Sequence, residues 1–184
     1  MNKIFFALAE GREPALKRKR KIYGWLIYLL GVPAWVIILL SKHDWIAASI
    51  EAGGIPSMLF GLYTVYQNST SVNTLFDRIA SSFTYCFIAL GVGYSLFDYG
   101  GLTSLSQFLE IGVMIGFLLG SYLLAKSNRI GWLFFMLMNS SMATLMLLQH
   151  KPLLTVQQLI SLCFVIYGFV VSMRSTTATT DASV

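Results

Sequence analysis

Apolar positions in this chain fall in long unbroken blocks, without the two-residue alternation of a half-buried strand or the single stripe of a surface helix. Ile22 to Ser41 is charge-free between Lys21 and Lys42, as are Ile79 to Phe97 between Arg78 and Asp98, Ile130 to Gln149 between Arg129 and His150, and Pro152 to Met173 between Lys151 and Arg174. At ~1.5 Å per residue, each block is about long enough to cross a hydrocarbon core of ~30 Å. Two more blocks, Trp45 to Tyr66 and about Leu105 to Ala125, carry one carboxylate each near their starts, Glu51 and Glu110. The pattern predicts an all-α integral membrane protein with six transmembrane helices, at about 22–41, 45–66, 79–97, 105–125, 130–149 and 152–173. Together they form a transmembrane domain over 22–174.

The blocks are not independent of one another. Gly24-Trp25-Leu26 returns as Gly131-Trp132-Leu133, and the same gap-free shift of 107 residues carries Leu30 onto Leu137, Leu40 onto Leu147, His43 onto His150 and Gly61 onto Gly168. A duplicated helix hairpin is one of the ways transporter folds are built, with a binding site where the repeats meet. Both copies begin on the same side, so this is a parallel repeat related by an axis along the membrane normal. A shorter likeness, Glu51, Gly53, Leu59, Gly61 and Tyr63 against Glu110, Gly112, Leu118, Gly120 and Tyr122, pairs the second helix with the fourth at a shift of 59. The shift of 107 is preferred because it covers a whole hairpin.

Composition agrees with the pattern. Hydrophobic residues make up 56% of the chain and charged ones 11%, with mean hydropathy +0.69, too little polar surface to cover a globule in water. Eleven of the 13 Lys and Arg fall on the side of the N-terminus, the 67–78 and 126–129 loops and the C-terminus, leaving Lys42 and Lys151 opposite. That asymmetry predicts cytoplasmic termini. The Lys17 to Lys21 run is then a contact for anionic lipid, and no aromatic or motif context points to nucleic acid. Residues 1–21 are expected to form a basic cytoplasmic arm, because the basic run follows the short apolar one, the reverse of a secretory signal. The Thr- and Ser-rich 175–184 segment is expected to be a mobile tail.

Candidate chemistry is sparse. Cys86 and Cys163 are expected inside helices as buried, unpaired thiols. His43 and His150 each sit where a helix emerges, and two histidines alone do not make a metal site, so they are expected to cap helices. No nucleophile motif or phosphate-cradling loop occurs, so an enzyme, a cofactor and a metal are not expected. Polar groups inside the spans are the site candidates, since each must face other helices or water. Trp132 and Asn139 share a helix face with about 20° of slip, flanking Phe135 and Met136. Gln157, Ser161 and Gly168 form a second polar or small stripe. Gly112, Gly116 and Gly120 form two overlapping Gly-x-x-x-Gly units, expected to be an internal packing seam. Gly53-Gly54-Ile55-Pro56 predicts a kink, and with it a hinge.

From Phe108 to Arg174 the chain resembles the C-terminal three-helix unit of the bacterial nicotinamide riboside transporter family (Pnu type). The likeness lies in Leu109-Glu110, Leu123-Leu124-Ala125-Lys126, the following Trp132 and Asn139, and Ile166-Tyr167-Gly168. The resemblance implies SWEET-like three-helix bundles joined by a linker helix, and passive passage of a vitamin precursor. It implies Trp132, Asn139, Gln157 and Tyr167 as substrate contacts, aromatic faces to stack a flat ring and amides to bond it. The first bundle is incomplete, because the counterpart of its first helix falls on residues 1–19, whose Glu10, Arg12, Glu13 and basic run cannot span. Val32 stands where the second copy has Asn139.

Two functions follow. One is a transporter-like protein that passes a small nucleoside-like or vitamin-precursor solute by rocking helix units around a central polar site. The other is a non-transporting membrane protein, an assembly partner or degenerate relative, whose amides only hold helices together. The partners are the lipid bilayer and a small solute, with a homo-oligomer left open.

Overall fold

The computed structural model describes residues 14–41, 45–67, 74–98 and 100–181, and within them every regular element is a helix. In chain order these are α1 (Pro14–Ser41), α2 (Trp45–Gly53), α3 (Ile55–Gln67), α4 (Thr74–Asp98), α5 (Leu105–Ala125), α6 (Ile130–Leu148) and α7 (Pro152–Asp181). Five of them, α1 and α4 to α7, contain stretches long and apolar enough to cross a membrane. The outward faces are apolar as well: Leu30, Phe97 and Leu153 are 76%, 87% and 86% exposed. Such a surface is unsuited to water and suits a hydrocarbon solvent, so the chain has the make-up of an integral membrane protein.

The predicted second helix is present as two, α2 and α3, broken at the expected place. Pro56 has no N–H to donate, and Gly54 bridges the break with a tight bond from its N to Glu51 O at 3.2 Å before Met58 N resumes the helical ladder on Gly54 O. The missing side chains are used by neighbours. A Cβ on Gly53 would lie 2.6 Å from the Phe87 ring of α4, and one on Gly54 would lie 2.8 Å from the Phe117 ring of α5. The break is therefore a notch that seats an aromatic ring from each side.

Three expected boundaries are corrected. The basic run Lys17 to Lys21 is no separate arm, since α1 starts at Pro14, a residue whose fixed φ suits a first helical turn. Arg18 then reaches the free carbonyls at the end of α3, donating from Nε to Val65 O at 3.2 Å and from a guanidinium nitrogen to Tyr66 O, where a cation also meets the negative end of the helix dipole. At the other end α7 runs on to Asp181 through the segment expected to be a tail, because no Gly or Pro stops it. And α4 starts at Thr74, ahead of the charge-free block that opens at Ile79, so that Asp77 lies in its first turn.

α5 is the centre of the assembly. It packs on α6 along one side and on α3 and α4 along others, with a smaller contact to α2, while α1 packs on α2 and α3, and α7 on α6. The glycine stripe makes the α5 to α6 seam, as expected. A Cβ on Gly116 would stand 2.6 Å from Phe134 O and 2.7 Å from Met138 N, so the two backbones are nearly touching. Gly112 lies against Ser141 and Gly120 against the Phe135 ring. The core that results joins Trp25, Met58, Phe60, Phe117, Leu118, Trp132, Phe135 and Val165.

Candidate functional site

Asn139 and Trp132 are both fully buried on the inner face of α6, at 0% and 1% exposure. The amide of Asn139 donates to Phe135 O one turn back on its own helix. The ring of Trp132 lies on Gly168 of α7, where a Cβ would come within 2.7 Å of its Cη2. So the two α6 residues expected from their shared face do share it, and both are engaged. Gln157 and Tyr167 are different: both are exposed on the outer surface of α7, Tyr167 at 48%. The structure sets Trp132 on Gly168, buries Asn139 on the same face of α6, and leaves Gln157 and Tyr167 exposed.

The same construction occurs in the first hairpin. Trp25 is 1% exposed and its ring covers Gly61 of α3, the positions that lie 107 residues before Trp132 and Gly168. Val32 and Met58 are 2% and 0% exposed, and their counterparts Asn139 and Val165 are at 0% each. A large indole needs a partner helix without a Cβ to lie flat on it, and both copies meet that need with glycine at the same separation.

A second polar group had not been expected from the sequence. Ser121 of α5 is fully buried, and its hydroxyl has no hydrogen-bond partner among the described residues. One turn earlier on α5, Phe117 meets the Tyr28 ring of α1 edge-on at 6.2 Å. The Tyr28 hydroxyl is near Ser121 but outside hydrogen-bond geometry, and Glu51 of α2 is close enough to act on it electrostatically. Tyr28, Glu51 and Ser121 thus gather three polar groups from three helices where the first hairpin meets α5. A buried hydroxyl without a partner costs about 1 to 3 kcal/mol and calls for a physical reason. Ser121 follows Gly120 directly, and the glycine stripe drew attention away from the adjacent face that it occupies.

Three further polar ties are satisfied and structural. Thr84 of α4 donates to Ala80 O at 2.9 Å, which leaves its oxygen to accept from Ser57 of α3 at 3.0 Å. Gln107 uses its amide fully: Nε2 donates to Ser95 O at 3.1 Å and to Ser95 Oγ, and Oε1 accepts from Thr103 N at 3.0 Å. Ser104 Oγ in turn accepts from Gln107 N, capping α5. The Ser-x-x-Gln spacing was the signal for this pair. At the basic end, Asp77 of α4 accepts from Tyr122 Oη at 2.8 Å and from Lys126 Nζ at 3.0 Å. That acceptance holds the Lys126 ammonium above its usual pKa.

Among the described residues, those with metal or redox potential do not assemble. Cys86 and Cys163 are free thiols and are exposed on the outer faces, which corrects the expectation of burial. His43 lies outside the described residues. His150 has φ +56° and occupies the left-handed position after α6, where His150 N donates to Leu147 O and Lys151 N to Met146 O. Its backbone closes the helix, as expected of a capping residue. Comparison with protein-family models, curated proteins and solved structures gives no match, so the resemblance to the nicotinamide riboside transporters rests on the residues quoted for it.

Proposed function

We propose that this chain is a multi-pass transporter-like protein of a bacterial inner membrane, with its termini in the cytoplasm, that passes a small polar solute between two helix units. The units are the first hairpin, α1 to α3, and the three-helix unit α5 to α7 that contains its repeat, and the break between α2 and α3 gives the first of them a hinge. The observation that carries the reading is the repeated indole-on-glycine contact, Trp25 on Gly61 and Trp132 on Gly168. It supports a parallel duplication, and repeat-built carriers bind their solutes at the joint between repeats. At that joint stand Tyr28, Glu51 and the unpartnered hydroxyl of Ser121. A solute hydroxyl or amide placed there would complete Ser121, which fits the nucleoside-like or vitamin-precursor class that the resemblance implies. Trp132 and Asn139 support the joint from the second unit.

One observation favours the second reading, a non-transporting membrane protein. Asn139 already bonds its own helix, and Gln157 and Tyr167 face outward, so the four residues implied by the resemblance do not form one pocket. Uptake into liposomes separates the two. Purified protein is reconstituted and given radiolabelled nucleosides, B vitamins and small sugars, alongside Ser121→Val and Asn139→Leu variants. A carrier gives saturable uptake of one class, lowered at least tenfold by Ser121→Val. Folded protein that takes up none of the panel sinks the carrier reading.

A further inference from the structure

The turn between α5 and α6 and the far end of α7 enclose a surface crevice of about 470 Å³. Its rim is polar, Ser127, Asn128 and Arg129, and its wall is apolar, Leu133, Phe169 and Met173. The turn itself is held rigidly. Ser127 has φ +56°, Ser127 N donates to Leu124 O and Asn128 N to Leu123 O, each at 2.9 Å, and Asn128 Oδ1 accepts from Ile130 N. Arg129 is therefore presented from a fixed backbone. Its side-chain contact among the described residues is Nη1 to the Met173 sulfur at 3.6 Å, which leaves the charge uncompensated there. The neighbouring cation, Lys126, is already committed to Asp77.

The crevice sits at the level where the apolar spans end. α5 stops at Ala125, α6 starts at Ile130, and the apolar stretch of α7 ends by Arg174. A ligand there meets a guanidinium at one end and a hydrocarbon wall at the other. A soluble anion would use only the first of these. A glycerophospholipid uses both, with its phosphate diester bonded by the planar guanidinium and an acyl chain along Leu133 and Phe169. We propose that this crevice is a binding site for an anionic phospholipid of the leaflet on the basic side, held through Arg129. The site is independent of the transport reading, since none of Tyr28, Glu51 and Ser121 lines the crevice.

The test uses the full chain in neutral detergent. It is mixed with equal amounts of phosphatidylglycerol and phosphatidylcholine of identical acyl chains, and lipids retained on the intact protein are read by native mass spectrometry. The expected result is a preference for phosphatidylglycerol that Arg129→Ala lowers about fivefold, the effect of removing one cation at a membrane surface. Arg129→Lys should keep part of the preference, and Arg78→Ala, on the same side but not among the residues lining the crevice, should keep all of it. Equal loss in Arg78→Ala and Arg129→Ala would mean a diffuse basic surface and overturn the site. So would equal retention of the two lipids by the unaltered protein, a result that does not depend on how any variant folds. Displacement of the bound lipid by excess glycerol phosphate would assign the site to a soluble anion and overturn the lipid.

Discussion

The two hairpins place the same residues at the same separations, yet the first helix of each meets different surroundings. α6 is gripped on two sides, by α5 and by α7, whereas among the described residues α1 packs backbone to backbone only on α2 and α3 and reaches α5 through the Tyr28 ring. The consequence is visible position by position. Ile38 is 43% exposed and its counterpart Leu145 is 6% exposed. Met138 lies against Gly116, while its counterpart Gly31 has nothing within 4 Å of where a Cβ would be. What the copies share is the inner face, Trp25 with Trp132 and Met58 with Val165. A repeat therefore preserves the contact inside its own hairpin, and the burial of the remaining flank is decided by whether a third helix covers it.

The largest test of this difference is at the glycines. In Gly116→Ala the new Cβ meets Phe134 O and Met138 N, backbone atoms that no rotamer change can move aside. α5 and α6 must part, at a cost of about 3 kcal/mol. Gly31→Ala enters open space and should cost nothing, since alanine is the better helix former by up to ~1 kcal/mol. Reversible unfolding in detergent, followed by loss of helix signal, measures both. Equal losses would mean that α1 has a neighbour on that flank after all.

The shared inner face makes the opposite demand. Gly61→Ala and Gly168→Ala each push a methyl into an indole, and each should cost about 1 to 3 kcal/mol by the same measurement. The two losses should agree within about 1 kcal/mol if the hairpins are built alike. A tolerated Gly61→Ala beside a damaging Gly168→Ala would reduce the likeness to chance spacing.

Val32 and Asn139 sharpen the comparison where the copies differ in polarity. Asn139→Val removes an amide bonded to Phe135 O of its own helix and should cost about 0.5 to 1.5 kcal/mol, the net scale of one intramolecular hydrogen bond. Val32→Asn puts an amide at a position 2% exposed that is packed as hydrocarbon, and should cost about 1 to 2 kcal/mol. Equal and negligible effects from both exchanges would show that polarity at this position does not distinguish the units.

Most of the helices were legible because hydrocarbon leaves a blunt mark: every span must be apolar on all sides, so block length alone locates α4 to α7. The break at Gly53-Gly54-Ile55-Pro56 and the seam at Gly112, Gly116 and Gly120 were legible because each follows from one residue type, proline without an N–H and glycine without a Cβ. The ends of α1 and α7 were not, since charged and Thr-rich residues leave the membrane without leaving the helix. The candidate site was harder still. In a helix that is apolar all round no periodic stripe marks the inward face, so Gln157 and Tyr167 looked as eligible as Asn139, and their exposure on α7 depends on which flank α6 covers. Ser121 was hidden for the same reason, being one small polar residue beside a glycine stripe that explained its neighbourhood without it.

The smallest expected effect separates the basic ends of the two units. The first is tied by Arg18 to the Val65 and Tyr66 carbonyls, acceptors that do not titrate. The second is tied by Lys126 to Asp77, with both side chains partly exposed, so the pair contributes less than about 1 kcal/mol. Because Asp77 raises the Lys126 pKa above its ordinary value of 10.5, the folded state holds that proton more tightly than the unfolded chain does. Its contribution is complete below the ordinary value and is lost as pH climbs through the raised one. Unfolding measured from pH 7 upward should therefore show a loss at high pH that Asp77→Asn removes, whereas Arg18→Gln should lower stability without changing the slope. A high-pH loss that persists in Asp77→Asn would place the titrating group elsewhere and leave the two ends alike.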